Sequence, residues 1–279
     1  MKVYTYNDKV LVNSANDKWL KAHDMLPPLT IRVKLKDGAS LSINGATCTQ
    51  VSTSPNIWDV CTATGSKLNN WYSLFQGNTN LLEVLDANTK GTGSINDLIG
   101  TSSMFKNCTA LTSVPLFDTS SVNNMNSMFY KCSSLTSVPL FNTSSVNDMG
   151  NMFIYCSSLA SVPLFDTSSV NNMNSMFESC SSLTSVPLFN TSSVSGMGGM
   201  FKSCSSLTSI PLFNTSRVTN MEMTFASCIN VESGALALYQ QVSTQTYVPE
   251  QHDGTFYNCG SNTTTGAAEL AQIPSSWKS

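Results

Sequence analysis

Apolar side chains in residues 105–228 return at a fixed step. Phe105, Phe129, Phe153, Phe177, Phe201 and Phe225 are each 24 residues apart, as are Cys108, Cys132, Cys156, Cys180, Cys204 and Cys228. Leu111, Leu135, Leu159, Leu183 and Leu207 keep the same step, with Val231 in the next slot. One unit, Met128 to Asn151, reads MFYKCSSLTSVPLFNTSSVNDMGN. A constant step of this size is the mark of stacked structural repeats, each too small to bury its own apolar face. Two periods alternate inside the unit. Leu135, Val138 and Leu140 follow L-x-x-V-x-L, which predicts a short strand with one face buried. Val122, Met125, Met128, Phe129 and Cys132 fall on one helical stripe. Between them, Asp118-Thr119-Ser120-Ser121 and its equivalents offer side chains that cap a helix start. The predicted helix is rich in Ser and Asn, so it is short, α or 3₁₀, and held by packing. The expected fold is an α/β solenoid, with a strand and a short helix per coil and a small N-terminal β domain.

The repeats place three further columns. Pro115, Pro139, Pro163, Pro187 and Pro211 share an outward position of the predicted strand. A proline donates no backbone bond, so each coil loses a rung there or its strand ends early. Phe117, Phe141, Phe165, Phe189 and Phe213 follow. They either line a ribbon of rings suited to a sugar or a sister subunit, or fold inward and close the core. The positions after each repeated Phe vary most. Tyr130, Lys131 and Tyr155 form the richest cluster there and are candidate binding residues, against the plainer reading of a solvated face.

Outside the repeats the pattern changes. Residues 1–25 read as an arm. Val3, Tyr4 and Tyr6 face Val10, Leu11 and Val12 across Asn7-Asp8 as a hairpin, and Tyr4, Tyr6 and Trp19 are the candidate assembly anchor. Leu26-Pro27-Pro28 marks a boundary, and residues 26–69 form a small β domain in which Thr30 to Leu35 alternates polar and apolar. Residues 70–104 are an atypical capping coil, with Phe75, Leu81 and Val84 in the repeat's offsets. The clean coils span 105–228. Residues 229–279 are a C-terminal cap, with a helix over Ala235 to Val242, a helical turn at Ala267 to Ala271, and Trp277 closing the end.

The frame MF-x-x-C-x-x-L-T-S-V-P-L-F-[DN]-T-S-x-V-x-x-M resembles the BspA-type leucine-rich-repeat surface proteins, whose short-repeat branch occurs in mycoplasma lipoproteins and in gut Bacteroidales and their phages. The resemblance spans roughly residues 75–279. It implies an outward-facing recognition or scaffold role without catalysis, on a bacterial surface or in a virion.

Composition sharpens that picture. The chain is 41% hydrophobic and 11% charged, with net charge −3, against about 25% charged in typical domains. No basic patch stands out, so nucleic acid is not an expected partner. A Ser/Thr/Asn surface suits glycans or packing against sister subunits. Six of the nine cysteines sit in one apolar slot, which predicts reduced, buried thiols rather than a disulfide framework; a Cys48–Cys61 bridge stays open. His23 and His252 are far apart, no metal-ligand cluster or phosphate loop occurs, and Gly91-Thr92-Gly93 lacks the third glycine of a nucleotide loop. No cofactor, metal or catalytic residue is expected, and no enzyme. The first residues lack a signal peptide's apolar segment, and no run is long enough for a membrane span. The expected setting is therefore a phage fibre or appendage, with other virion proteins or sister subunits as partners and a bacterial glycan or protein receptor as a further one. The alternative is a cell-surface adhesin for host glycoprotein or matrix.

Overall fold

The computed structural model describes residues 3–6, 9–12, 29–44, 46–62, 71–88 and 98–279. Trp19, Leu26-Pro27-Pro28, the turn at Asn7-Asp8 and Gly91-Thr92-Gly93 lie outside the described residues. β1 (Val3–Tyr6) and β2 (Lys9–Val12) pair antiparallel, with Val3 opposite Val12 and Tyr6 opposite Lys9. Tyr4 and Tyr6 thus lie on the hairpin that their alternation predicts.

β3 (Thr30–Leu35), β4 (Thr47–Thr53), β5 (Asn56–Cys61) and β6 (Leu81–Asn88) form an antiparallel sheet in the order β4-β5-β3-β6. Ile31, Val33 and Leu35 are buried and alternate with half-buried Arg32 and Lys34, the period-two pattern of a strand with one packed face. Arg32 lies directly opposite Asp59 and grips both of its carboxylate oxygens, at 2.6 and 2.7 Å. Cys48 lies opposite Val60 and Cys61 opposite Thr47, so the two cysteines are not cross-strand partners. β6 belongs to the sheet and also to the stack that follows. Val84 donates to Ser113 O at 3.3 Å, and Thr112 to Leu82 O at 2.9 Å, so one strand joins the two parts.

From Trp71 onward each coil bonds to the next. Thr101, Ser103, Phe105 and Asn107 donate to the carbonyls of Asn124, Asn126, Met128 and Tyr130, and Met125, Ser127, Phe129 and Lys131 repeat this one coil later. A column of single parallel bridges runs through Gly100, Asn124, Asp148, Asn172, Gly196, Asn220 and Gln251. These observations correct both elements expected within the repeat. The stripe from Val122 to Cys132 is not a helix. Every second amide is taken by the following coil, and the amides between them, Met104, Lys106 and Cys108, bond three residues back. That alternation leaves no i→i−4 ladder. It is maintained by two left-handed residues per coil, such as Ser127 (φ 57°) and Lys131 (φ 59°). Ser and Asn tolerate or gain little from helix, so they yield to these bonds.

The L-T-S-V-P-L-F segment is not a strand. Its buried positions are Leu135, Val138 and Phe141, while Leu140 is 56% exposed. Burial therefore repeats every three residues, the period of an extended polyproline-type chain. Phe141 donates to Pro139 O at 3.0 Å, a tight turn that carries the ring inward. The Phe117, Phe141, Phe165, Phe189 and Phe213 column is at most 4% exposed, so it is core and not a binding ribbon. Its rings pack diagonally on the main column, for example Phe201–Phe213 at 6.0 Å.

The core is built of columns. The rings from Phe75 to Phe256 stack with neighbouring centroids 5.3 to 6.0 Å apart. Each column cysteine donates its thiol to the Phe carbonyl of the preceding coil, as Cys132 does to Phe105 O at 3.0 Å. That carbonyl also accepts the Cys108 amide, so both its lone pairs are used. The buried threonine of each Asx-Thr-Ser-Ser turn ties two coils, as Thr143 Oγ1 does to Asp166 O at 2.7 Å. The end is closed by α1 (Ala235–Ser243), α2 (Thr264–Gln272) and a 3₁₀ turn at Ser275–Trp277. Gln245 donates to Thr215 Oγ1 at 2.7 Å, and Trp277 stacks on Phe256 at 6.2 Å.

Candidate functional site

The wall that carries the inter-coil amide ladder also carries the residues that vary between coils. Lys131 (φ 59°) and Tyr155 (φ 58°) both occupy the second left-handed position of their coils. Their amides are fixed, to Ile154 O at 2.7 Å and Glu178 O at 2.9 Å. With the backbone pinned this way, the two side chains stand side by side on successive coils.

The structure brings Tyr130, Lys131 and Tyr155 together. The two tyrosine rings meet edge to face, with centroids 6.3 Å apart at 81°. The Lys131 ammonium lies 5.4 Å from each ring centroid. Lys106, which the sequence did not single out, sits 4.9 Å over the Tyr130 ring. Two ammonium groups thus rest on two aromatic faces, an arrangement worth about 0.5–1 kcal/mol per pair at an exposed site. Tyr155 is 46% exposed and Lys131 is exposed, so the patch is open to a ligand. Chemically it offers flat apolar faces next to cationic hydrogen-bond donors.

The same wall continues into a shallow hollow of about 280 Å³, lined among others by Asn174, Glu178, Gly199, Lys202, Asn220 and Glu222. Sequence reasoning missed it. Its signal was the run Ser195-Gly196-Met197-Gly198-Gly199, which removes side chains from an otherwise filled wall. Gly199 has φ +64° at the position where the preceding coils use Ser or Asn, and Gly196 leaves room for the Asn174 side chain, which a Cβ would meet at 2.5 Å. Glu178 and Lys202 approach to 3.8 Å at its rim. Beside it, Asp148 accepts from Asn172 at 2.9 Å and from the Gly150 amide at 2.8 Å, so this carboxylate is already satisfied.

The remaining candidates lie elsewhere. Tyr4 and Tyr6 are on β1, and the five phenylalanines are inside. His252 packs against Trp277, with ring centroids 4.4 Å apart. Among the described residues no group of three or more His, Cys, Asp or Glu converges as a metal site requires, and no helix is long and apolar enough to cross a membrane.

Comparison with known proteins bears on the repeats. The family model described as "Mycoplasma protein of unknown function, DUF285" matches residues 99–186 and again 136–237. No curated protein matches the chain. Among solved structures, the T. pallidum leucine-rich-repeat protein is similar at 21% identity, over 68% of this chain and 87% of that one, with a TM-score of 0.46.

Proposed function

We propose that this protein is a non-enzymatic recognition module of the leucine-rich-repeat surface type, a solenoid displayed outside a cell, whose contact surface is the Tyr130–Lys131–Tyr155 patch with Lys106. The match of the repeat region to the mycoplasma family model supports the repeat type. The observation that carries the ligand reading is Lys131, poised over two tyrosine rings at once. Aromatic faces stack on the apolar face of a sugar ring, and an ammonium held over them meets an acid group on that sugar. The ligand class is therefore an acidic glycan, one bearing carboxylate or sulfate. The wall around the patch is made of Ser and Asn, which suits hydroxyl-rich ligands.

The test is binding of the whole protein to a panel of neutral, carboxylated and sulfated glycans. Saturable binding to the acidic members is expected, weakened about tenfold or more by Tyr155→Ser or Lys131→Met and weakened by salt. Binding that ignores both substitutions sinks the reading. Placement is tested separately. Surface labelling of intact cells grown without phage induction is expected to find the protein; recovery in purified virions alone would move the same recognition role to a phage appendage.

A further inference from the structure

The wall opposite the amide ladder in each coil carries a ridge that the core does not use. Leu116, Leu140, Leu164, Leu188 and Leu212 are 65, 56, 59, 61 and 52% exposed. They occupy one slot of successive coils, so they stand in line, one per coil, beside a phenylalanine column whose neighbouring rings are 5.1 to 6.5 Å apart. Each follows a half-buried proline. Together the leucines expose about 500 Å² of apolar surface, at the upper end of what a monomer leaves open. With the prolines and the adjoining Thr-Ser pairs the strip approaches the roughly 800 Å² per partner of a stable interface.

We infer that this ridge joins two copies of the chain, face to face and antiparallel, along the Leu116-to-Leu212 line. Three features select a second copy over an unrelated partner. The first is period. A row of leucines at the coil spacing is matched along its whole length by another row of the same spacing, and this chain supplies one. The second is charge. The residues around the ridge are Thr136, Ser137 and their equivalents, with Asp118 and Asp166 only at its rim, where water and salt screen them. Self-pairing therefore meets little repulsion. The third is direction. In each central coil four amides point toward the following coil, as at Met125, Ser127, Phe129 and Lys131, while fewer, as at Asn147, point back. The aligned peptide dipoles give the stack a polarity like that of a helix, and antiparallel pairing sets two such dipoles in opposition. A two-fold interface of this kind places Leu164 against its own copy and Leu116 against Leu212. The Tyr130–Lys131–Tyr155 patch lies beyond the Cys132–Leu135 corner and stays free.

Sedimentation equilibrium of the full chain in the micromolar range is expected to give a dimer. The triple variant Leu140→Ser, Leu164→Ser, Leu188→Ser is expected to be monomeric with an unchanged circular dichroism spectrum, because these side chains are outside the core, and with the Tm of the parent chain diluted to monomer. Orientation is read with a short bismaleimide. Leu164→Cys is expected to cross-link to itself, Leu116→Cys not to itself, and Leu116→Cys mixed with Leu212→Cys to give the joined dimer. A monomer throughout, including one that binds some other protein, overturns the inference. So does an assembly that the triple variant leaves intact, and self-linking of Leu116→Cys overturns the antiparallel arrangement.

Discussion

Small groups at fixed positions carry much of this architecture. Each column thiol from Cys108 to Cys228 is buried in the core and spends its proton on a carbonyl of the coil before it, and Cys259 is buried beyond them. Burial disfavours the thiolate, pushing Cys108 up to about 12 and holding Cys132, Cys156, Cys180, Cys204, Cys228 and Cys259 well above the usual thiol range. Two outcomes follow from that shift. In the native protein, a thiol reagent at mildly alkaline pH is expected to modify only Cys48 and Cys61, which are partly exposed; denaturant should release the other seven together. Stability is expected to respond to alkali in a defined window. Below about pH 7.5 the thiols are protonated folded and unfolded, so they contribute no pH dependence. As pH rises through about 8.5 the unfolded chain loses these protons while the folded chain keeps them, Cys108 up to about 12, and stability falls by up to about 1.4 kcal/mol per pH unit for each thiol. Urea midpoints measured at pH 8, 9 and 10 check this. A midpoint that stays level to pH 10 would mean the column is wetter than the structure places it.

At the level of the element, the contrast between neighbouring Leu164 and Phe165 separates the expected strand from the observed extended segment. A strand reading of L-x-x-V-x-L buries the leucine; period-three burial puts the phenylalanine inside instead. Phe165→Ala is expected to cost about 3–5 kcal/mol, as a buried ring removed from a packed column does, whereas Leu164→Ser should change the folding stability of the monomer, measured below the dissociation range of the dimer, by no more than about 0.5 kcal/mol. Urea unfolding of the two variants decides between the readings. What the sequence made legible here were the columns. Fixed steps of Phe, Cys and Leu place like residues over like whatever the local conformation, so the stack and the buried thiols could be read directly. Local conformation could not, because it is settled by bonds between residues 23 apart, such as Phe105 to Met128. Those bonds remove alternate amides from any helix, and the prolines remove the strand ladder. The candidate patch was legible for a related reason. Tyr130, Lys131 and Tyr155 are departures from a repeated background; Lys106 stands in the same variable slot one coil earlier, but its approach to the Tyr130 ring is visible only in the structure.

Over the whole molecule, stability is a sum of coils and of the interfaces between neighbours, closed at both ends. β6 serves the first end by pairing with β3 and with the coil at Ser113. The C-terminal helices serve the other, where Trp277 O accepts the Phe256 amide at 2.9 Å. This organisation fixes a pattern of amide exchange. In the central coils the amides of Ser127, Phe129 and Lys131 are bonded to the following coil and open only when that coil departs, so their protection should be the highest in the chain and should decline toward the ends. The amides of Val138, Leu140, Val162 and Leu164 donate to no backbone carbonyl among the described residues, so they should exchange early although Val138 is buried and sits in the same coil. Trp277→Ala, which uncovers the last ring of the stack, should lower protection in the coil of Phe225 and Cys228 first and leave that of Phe129 nearly unchanged. Exchange followed residue by residue distinguishes this from a globule with one core, in which the substitution would lower protection everywhere by the same factor.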